Sequence, residues 1–82
     1  MLRVRKVKIA EVYVPTARRK LLHPETVRAL AEDILDNGLQ MPIQVREDGK
    51  RFVLVEGQHR LEAMTWLGED VIDAYLVQAR RH

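Results

Sequence analysis

The chain has 82 residues, 46% hydrophobic and 32% charged, with no cysteine and a formal net charge of +2 at pH 7. That composition fits one small folded domain over residues 1–82, near the lower size limit for an independent core, and it excludes disulfides, thiolate catalysis and cysteine-based zinc sites. No apolar run approaches the roughly 20 residues of a membrane span, and the N-terminus contains no signal-peptide core, so the expected location is the cytoplasm, with no membrane partner.

The first predicted element is a strand over residues 3–9, where Lys6, Val7, Lys8 and Ile9 alternate and turn Val7 and Ile9 inward. Val12 and Val14 carry the apolar pattern on until Pro15 breaks it, and residues 15–23 read as a basic loop. Charge is concentrated at this end. Residues 1–20 hold seven basic side chains (Arg3, Arg5, Lys6, Lys8, Arg18, Arg19, Lys20) against one acid, Glu11. Such an end attracts nucleic acid or phosphates; equally, cations on an edge strand discourage aggregation. The second account suits Arg3 and Arg5. Arg18, Arg19 and Lys20 are adjacent, repel one another, and point to an anion nearby, while Lys6 and Lys8 are candidate contacts to DNA or phosphate.

Pro24 suits the first position of a helix, and Val27, Leu30, Ala31, Ile34 and Leu35 then fall on one helical face. Asn37-Gly38 is a stop signal, with Gly38 left-handed. The acids Glu32, Asp33 and Asp36 read as a solvated face. Ile43–Arg46 forms the next strand, Glu47-Asp48-Gly49-Lys50 a hairpin turn with Asp-Gly at its centre, and Arg51–Val55 the returning strand. A second helix over Gln58–Leu67 buries Leu61, Met64 and Leu67, with Ala63 and Trp66 beside that stripe and Gly68 ending it. Trp66 is assigned to the core or to a partner contact rather than to base stacking. Val71–Val77 is the last strand. The order β-α-β-β-α-β predicts an α+β fold, a small mixed sheet packed by two helices.

The most informative segment joins the returning strand to the second helix. Val53-Leu54-Val55 leads through Glu56 to Gly57-Gln58-His59-Arg60 at a helix start. A helix start has N–H groups unused within the helix and the positive end of its dipole, a natural anion site. Gly57 lets the backbone approach closely, Arg60 can fork onto two phosphate oxygens, and His59 can add a donor. A plainer account stands beside this one: Gly57 as a tight turn, Arg60 solvated, His59 capping a carbonyl. Glu56 also has two readings, as a general base or magnesium ligand acting through phosphate oxygens, or as an ion-pair partner of Arg60. His23, His59 and His82 are scattered, no pair has metal-ligand spacing, and no protein-held metal site is expected.

Two segments resemble a known superfamily. Pro24–Val45, ending Asn-Gly-Leu-Gln-Met-Pro-Ile-Gln-Val, looks like the N-terminal helix and strand of ParB-type partition proteins, and Phe52–Gly68 resembles their phosphate box and following helix. The box Gly57-Gln58-His59-Arg60 is also similar to that of sulfiredoxin and to the histidine-containing boxes of ParB-like kinases. Membership of the ParB/sulfiredoxin superfamily implies that nucleoside di- or triphosphates bind here with magnesium, Gly57, His59 and Arg60 holding phosphates and Gln58 offering its backbone N–H. It implies a further contact from Arg19 across the sheet end, with Arg18 and Lys20 beside it. The departures are informative. Sulfiredoxin chemistry needs a cysteine where this chain has Gln58. The ParB-like serine kinases carry an acid in the loop that here reads Arg18-Arg19-Lys20-Leu21-Leu22, and no helix-turn-helix of full-length ParB is visible.

Three functions follow. The first is a nucleotide-binding ParB-like module in plasmid or chromosome partition or DNA maintenance, acting alone, as a homodimer or with other partition proteins. The second is a small NTPase, phosphotransferase or DNA nuclease using Glu56. The third is an accessory protein that contacts DNA without sequence preference, with salt-sensitive binding.

Overall fold

The computed structural model describes residues 3–16 and 22–78. The elements are β1 (Val4–Lys8), a 3-10 turn (Ile9–Glu11), β2 (Val12–Tyr13), α1 (Pro24–Asn37), β3 (Ile43–Asp48), β4 (Arg51–Glu56), α2 (Gln58–Trp66) and β5 (Val71–Leu76). The strands form one mixed sheet in the order β1-β5-β3-β4-β2. Central β3 runs antiparallel to β4 and parallel to β5, while β1 is antiparallel to β5 and β2 parallel to β4. The α+β expectation of a small mixed sheet with two helices holds. The sheet has one strand more than the sequence order predicts, because the 3-10 turn Ile9–Glu11 separates β1 from the apolar pattern that Val12 carries on, which becomes the two-residue strand β2.

The connection from β1 to β2 shapes the sheet. These are its two edges, yet only the 3-10 turn Ile9–Glu11 separates them. The chain from Lys8 to Val12 spans at most about 14 Å, whereas four strand spacings in a flat sheet amount to about 19 Å. The sheet must therefore curl until its edges approach. Arg5 of β1 accordingly stands over the Phe52 ring of β4, 5.8 Å from its centroid. Ile9 leaves the strand for the turn, where its N–H donates to the Asp70 carbonyl at 2.9 Å.

The concave face is apolar. Val7, Ile72, Ala74, Ile43, Val45 and Leu54 pack there against Leu61 and Met64 of α2. A second cluster of Val27, Ala31 and Ala63 joins α1 to α2. Because α1 rests mainly on one helix, its buried stripe is narrow: Val27 and Ala31 are buried, whereas Leu35, expected inward, is 71% exposed. Trp66 is also outside the core, 53% exposed, with its indole N–H donating to Glu62 Oε2 at 3.1 Å.

The turns obey local chemistry. Gly38 has φ 76° and its N–H caps the Ile34 carbonyl at 2.8 Å, ending α1 as expected. The hairpin pairs Asp48 with Arg51, so its two-residue loop is Gly49-Lys50, one position later than the Asp-Gly centre predicted. Gly49 takes φ 63° and Lys50 stays negative, the sign pattern of a type II′ turn, which matches the strand twist.

The α1–α2 contact depends on small side chains. Ala63 is fully buried between the helices, and Ala63→Leu is expected to lower stability by about 1–3 kcal/mol through overpacking. A urea-unfolding midpoint equal to that of the native chain would show that the helices have slack there.

Candidate functional site

β4 delivers the chain to Glu56, and Gly57 turns it into α2 with φ 108° and ψ 33°. Glycine is required here on two grounds. That φ is left-handed, and a Cβ at this position would stand 2.6 Å from Ile43 Cγ2 and 3.2 Å from Arg60 Nη2. Gly57 therefore presses the turn against fully buried Ile43 at the start of β3. Leu61 N–H closes the first helical bond onto the Gly57 carbonyl at 2.9 Å. The N–H groups of the first turn are not used inside the helix. Gln58 opens α2 and is half-buried.

Arg60 is half-buried and is not paired with Glu56. Its Nη1 donates to the carbonyls of Met41, at 3.3 Å, and Pro42, at 3.2 Å. The guanidinium is thus held against the chain leading into β3, beside Gly57. Glu56 is exposed at the end of β4, opposite Gln44 in the ladder.

Two of the three histidines expected to be scattered, His23 and His59, come together, while His82 lies outside the described residues. His23 is the N-cap residue of α1, and its backbone N–H donates to His59 Nε2 at 3.3 Å. The two imidazoles stack with centroids 5.9 Å apart and planes 4° from parallel. His59 therefore accepts a bond rather than capping a carbonyl. The starts of α1 and α2 meet here, so two positive dipole ends converge, and the Arg60 guanidinium lies beside Gly57 at the start of α2. A pair 36 residues apart in sequence becomes adjacent only through the helix packing. The sequence signal was Pro24, which fixes His23 at the cap, but nothing local said which helix it would face. Among the described residues no cluster of three or more His, Cys, Asp or Glu could hold a metal.

The remaining candidates lie elsewhere. Lys6 Nζ pairs with Asp73 Oδ1 at 2.8 Å, both partly exposed, an arrangement worth less than about 1 kcal/mol. With Asp73, Lys6 lines a separate cavity of about 340 Å³ that also includes Leu35, Met64, Leu67 and Val71. That cavity lies by the far ends of α1 and α2, shares no residue with Gly57–Arg60, and is walled largely by aliphatic side chains. Lys8 ends β1, exposed and opposite Val71. Arg18, Arg19 and Lys20 lie outside the described residues. No helix among the described residues is long and apolar enough to cross a membrane.

The model of the ParB N-terminal domain matches residues 1–82. Among solved structures, sulfiredoxin from Arabidopsis thaliana superposes with a TM-score of 0.85 at 26% identity, over 94% of this chain and 86% of that one. The chromosome-partitioning protein ParB from Caulobacter crescentus, complexed with CTP-γ-S, gives 0.82 at 21% identity, over 94% of this chain and 45% of that one. A free serine kinase in complex with AMP gives 0.76 at 14% identity, over 90% of this chain and 30% of that one. At those identities the ParB and kinase likenesses show the fold alone, and the chain spans less than half of either protein. No curated protein matches.

Proposed function

We propose that this chain, which belongs to the ParB N-terminal domain family, is a nucleotide-binding module that holds the phosphates of a nucleoside triphosphate at Gly57–Arg60. The observation that carries this reading is the meeting of two helix starts at His23 and His59, with the guanidinium of Arg60 held beside Gly57. Helix dipoles, first-turn N–H groups and an arginine fork are the groups that bind a multiply charged anion. Proteins of this fold have been solved with CTP-γ-S, AMP and ADP bound, which supports a nucleotide as the ligand.

In this reading Gly57 allows the close approach, Gln58 contributes its backbone N–H, and His59 and Arg60 hold phosphate oxygens. By the family resemblance Arg19, which precedes α1 in sequence, would add a further contact to the nucleotide, with Arg18 and Lys20 as its neighbours in sequence. Magnesium would arrive with the nucleotide, since it binds mainly through phosphates plus one or two carboxylates; Glu56 is the carboxylate placed to assist. The role that suits such a module is partition or DNA maintenance, with DNA contacted through the basic N-terminal segment, including Lys8, and a second copy or another partition protein as partner.

The test is calorimetric titration with CTP, ATP, ADP and GTP in the presence of magnesium. Saturable binding of one nucleotide is expected, and the preferred base separates a CTP-dependent switch from an adenine-dependent enzyme. Absence of binding at millimolar nucleotide would remove the proposal and leave Gly57–Arg60 as a structural turn.

A second reading is favoured by Glu56 itself, an exposed carboxylate one residue before Gly57 whose neighbour Arg60 bonds elsewhere. It makes the chain a small NTPase, phosphotransferase or nuclease with Glu56 as base. Phosphate release or strand cleavage that persists undiminished in Glu56→Gln would end that role.

A further inference from the structure

The stacked histidines carry one step beyond phosphate binding. In the ligand-free chain His59 Nε2 accepts the His23 N–H. An accepting nitrogen carries no proton, so the ring is the neutral Nδ1–H tautomer. A phosphate oxygen offers His59 no hydrogen; to bond the anion through Nε2, that nitrogen must become a donor, and beside a multiply charged anion the imidazolium is favoured over the neutral Nε2–H tautomer. Histidine is the side chain whose ordinary titration range lets this happen near neutral pH.

We infer that nucleotide binding is coupled to uptake of one proton by His59, and that His23 is a positioning residue of the same site. On binding, Nε2 is protonated and turns from the His23 backbone to a phosphate oxygen. The His23 N–H released in that step faces the same anion and becomes a second donor. Charge balances locally: the ring gains one positive charge as the anion arrives. Two imidazolium rings 5.9 Å apart and parallel would repel, which limits the pair to one proton. The other charged groups on the segments meeting here are Glu25 in the first turn of α1, Glu56 at the end of β4 and Arg60 on α2. Neither carboxylate pairs with His59 among the described contacts, so the incoming phosphate is the anion that favours the charged ring.

This inference rests on the phosphate site proposed above, and its test separates the two. The native chain is titrated with magnesium-CTP and magnesium-ATP from pH 6 to 8, in buffers of different ionisation enthalpy. Proton uptake approaching one per nucleotide is expected in the upper part of that range. Affinity should fall by up to about tenfold per pH unit as pH rises. His59→Gln keeps a neutral donor but takes up no proton, and it corrects for protons exchanged by the nucleotide. His23→Ala keeps the backbone N–H but loses the ring stacked on His59, so it should weaken nucleotide binding, while the nucleotide that binds is still accompanied by uptake at His59. In the free chain, nitrogen chemical shifts should report His59 as the Nδ1–H tautomer. Tight binding with no buffer dependence, or uptake lost in His23→Ala and kept in His59→Gln, overturns the inference and leaves the phosphate site standing. Failure of both nucleotides to bind the native chain overturns both.

Discussion

Gly57→Ala will lower the unfolding free energy by about 2–5 kcal/mol and abolish nucleotide binding. Two costs combine. A side chain at φ 108° occupies left-handed backbone, worth about 1–2 kcal/mol. The added Cβ would also stand 2.6 Å from Ile43 Cγ2, a branch of a fully buried residue that cannot swing aside; overpacking of this kind costs about 1–3 kcal/mol. Against a total stability of about 5–15 kcal/mol for a small domain, the loss is severe. Gly38→Ala and Gly49→Ala provide the controls. Both have positive φ, 76° and 63°, but nothing lies within 4 Å of the new Cβ, so each should cost only the backbone part. Urea unfolding of the three variants separates the contributions. In a double-mutant cycle with Ile43→Ala, the two losses should add to less than their sum, because the truncation removes the methyl that clashes. Equal losses at all three glycines, or full additivity with Ile43→Ala, would falsify the steric account.

The parts of this fold legible in sequence were those set by neighbours along the chain. Pro24 and Gly38 marked both ends of α1, and the Glu47–Lys50 turn followed by the apolar run Val53-Leu54-Val55 marked the paired strands. Leu61 and Met64 marked the face of α2 laid on the sheet. What failed depended on distant partners. Leu35 fits the periodic stripe, yet α1 meets mainly one helix, and a narrow contact leaves that edge of the stripe in water. Strand β2 gains its partner from Phe52 and Val53 on β4, and two residues contain no period from which to predict that pairing. The hairpin turn slipped by one because Asp48 pairs across to Arg51, while Gly49 alone supplies the left-handed position.

The candidate site divides the same way. Gly57, His59 and Arg60 stood out because glycine, donor and guanidinium fall together at a strand-to-helix junction. The resemblance to a known superfamily gave that junction a ligand. The His23 contact, and the carbonyls of Met41 and Pro42 that receive Arg60, could not be read locally. They arise where α1, α2 and the chain before β3 converge, and each comes from a different part of the sequence.

Arg60→Ala is expected to weaken nucleotide binding by about 30- to 1,000-fold, with a smaller loss of stability. A guanidinium on phosphate makes two charge-assisted bonds of about 1.5–3 kcal/mol each. In the free chain the same group already donates to Met41 and Pro42, and those bonds must be given up or shared when the anion arrives. The net loss on truncation is therefore nearer 2–4 kcal/mol of binding than the full sum of two bonds. Stability should fall by only about 1 kcal/mol, because both bonds to the carbonyls are long and Met41 is 62% exposed, so water can replace the lost donor there. Arg60→Lys distinguishes charge from fork geometry. An ammonium keeps the field but not the planar pair of donors, so its affinity should lie between the native chain and Arg60→Ala. Calorimetry gives the affinities and urea unfolding the stabilities. Native-like binding in Arg60→Ala, accompanied by a large stability loss, would make Arg60 a strut bracing the start of β3. The phosphates would then have to be held by His59 and the N–H groups of the helix start, a weaker site whose selectivity would rest on the proton taken up by the histidine.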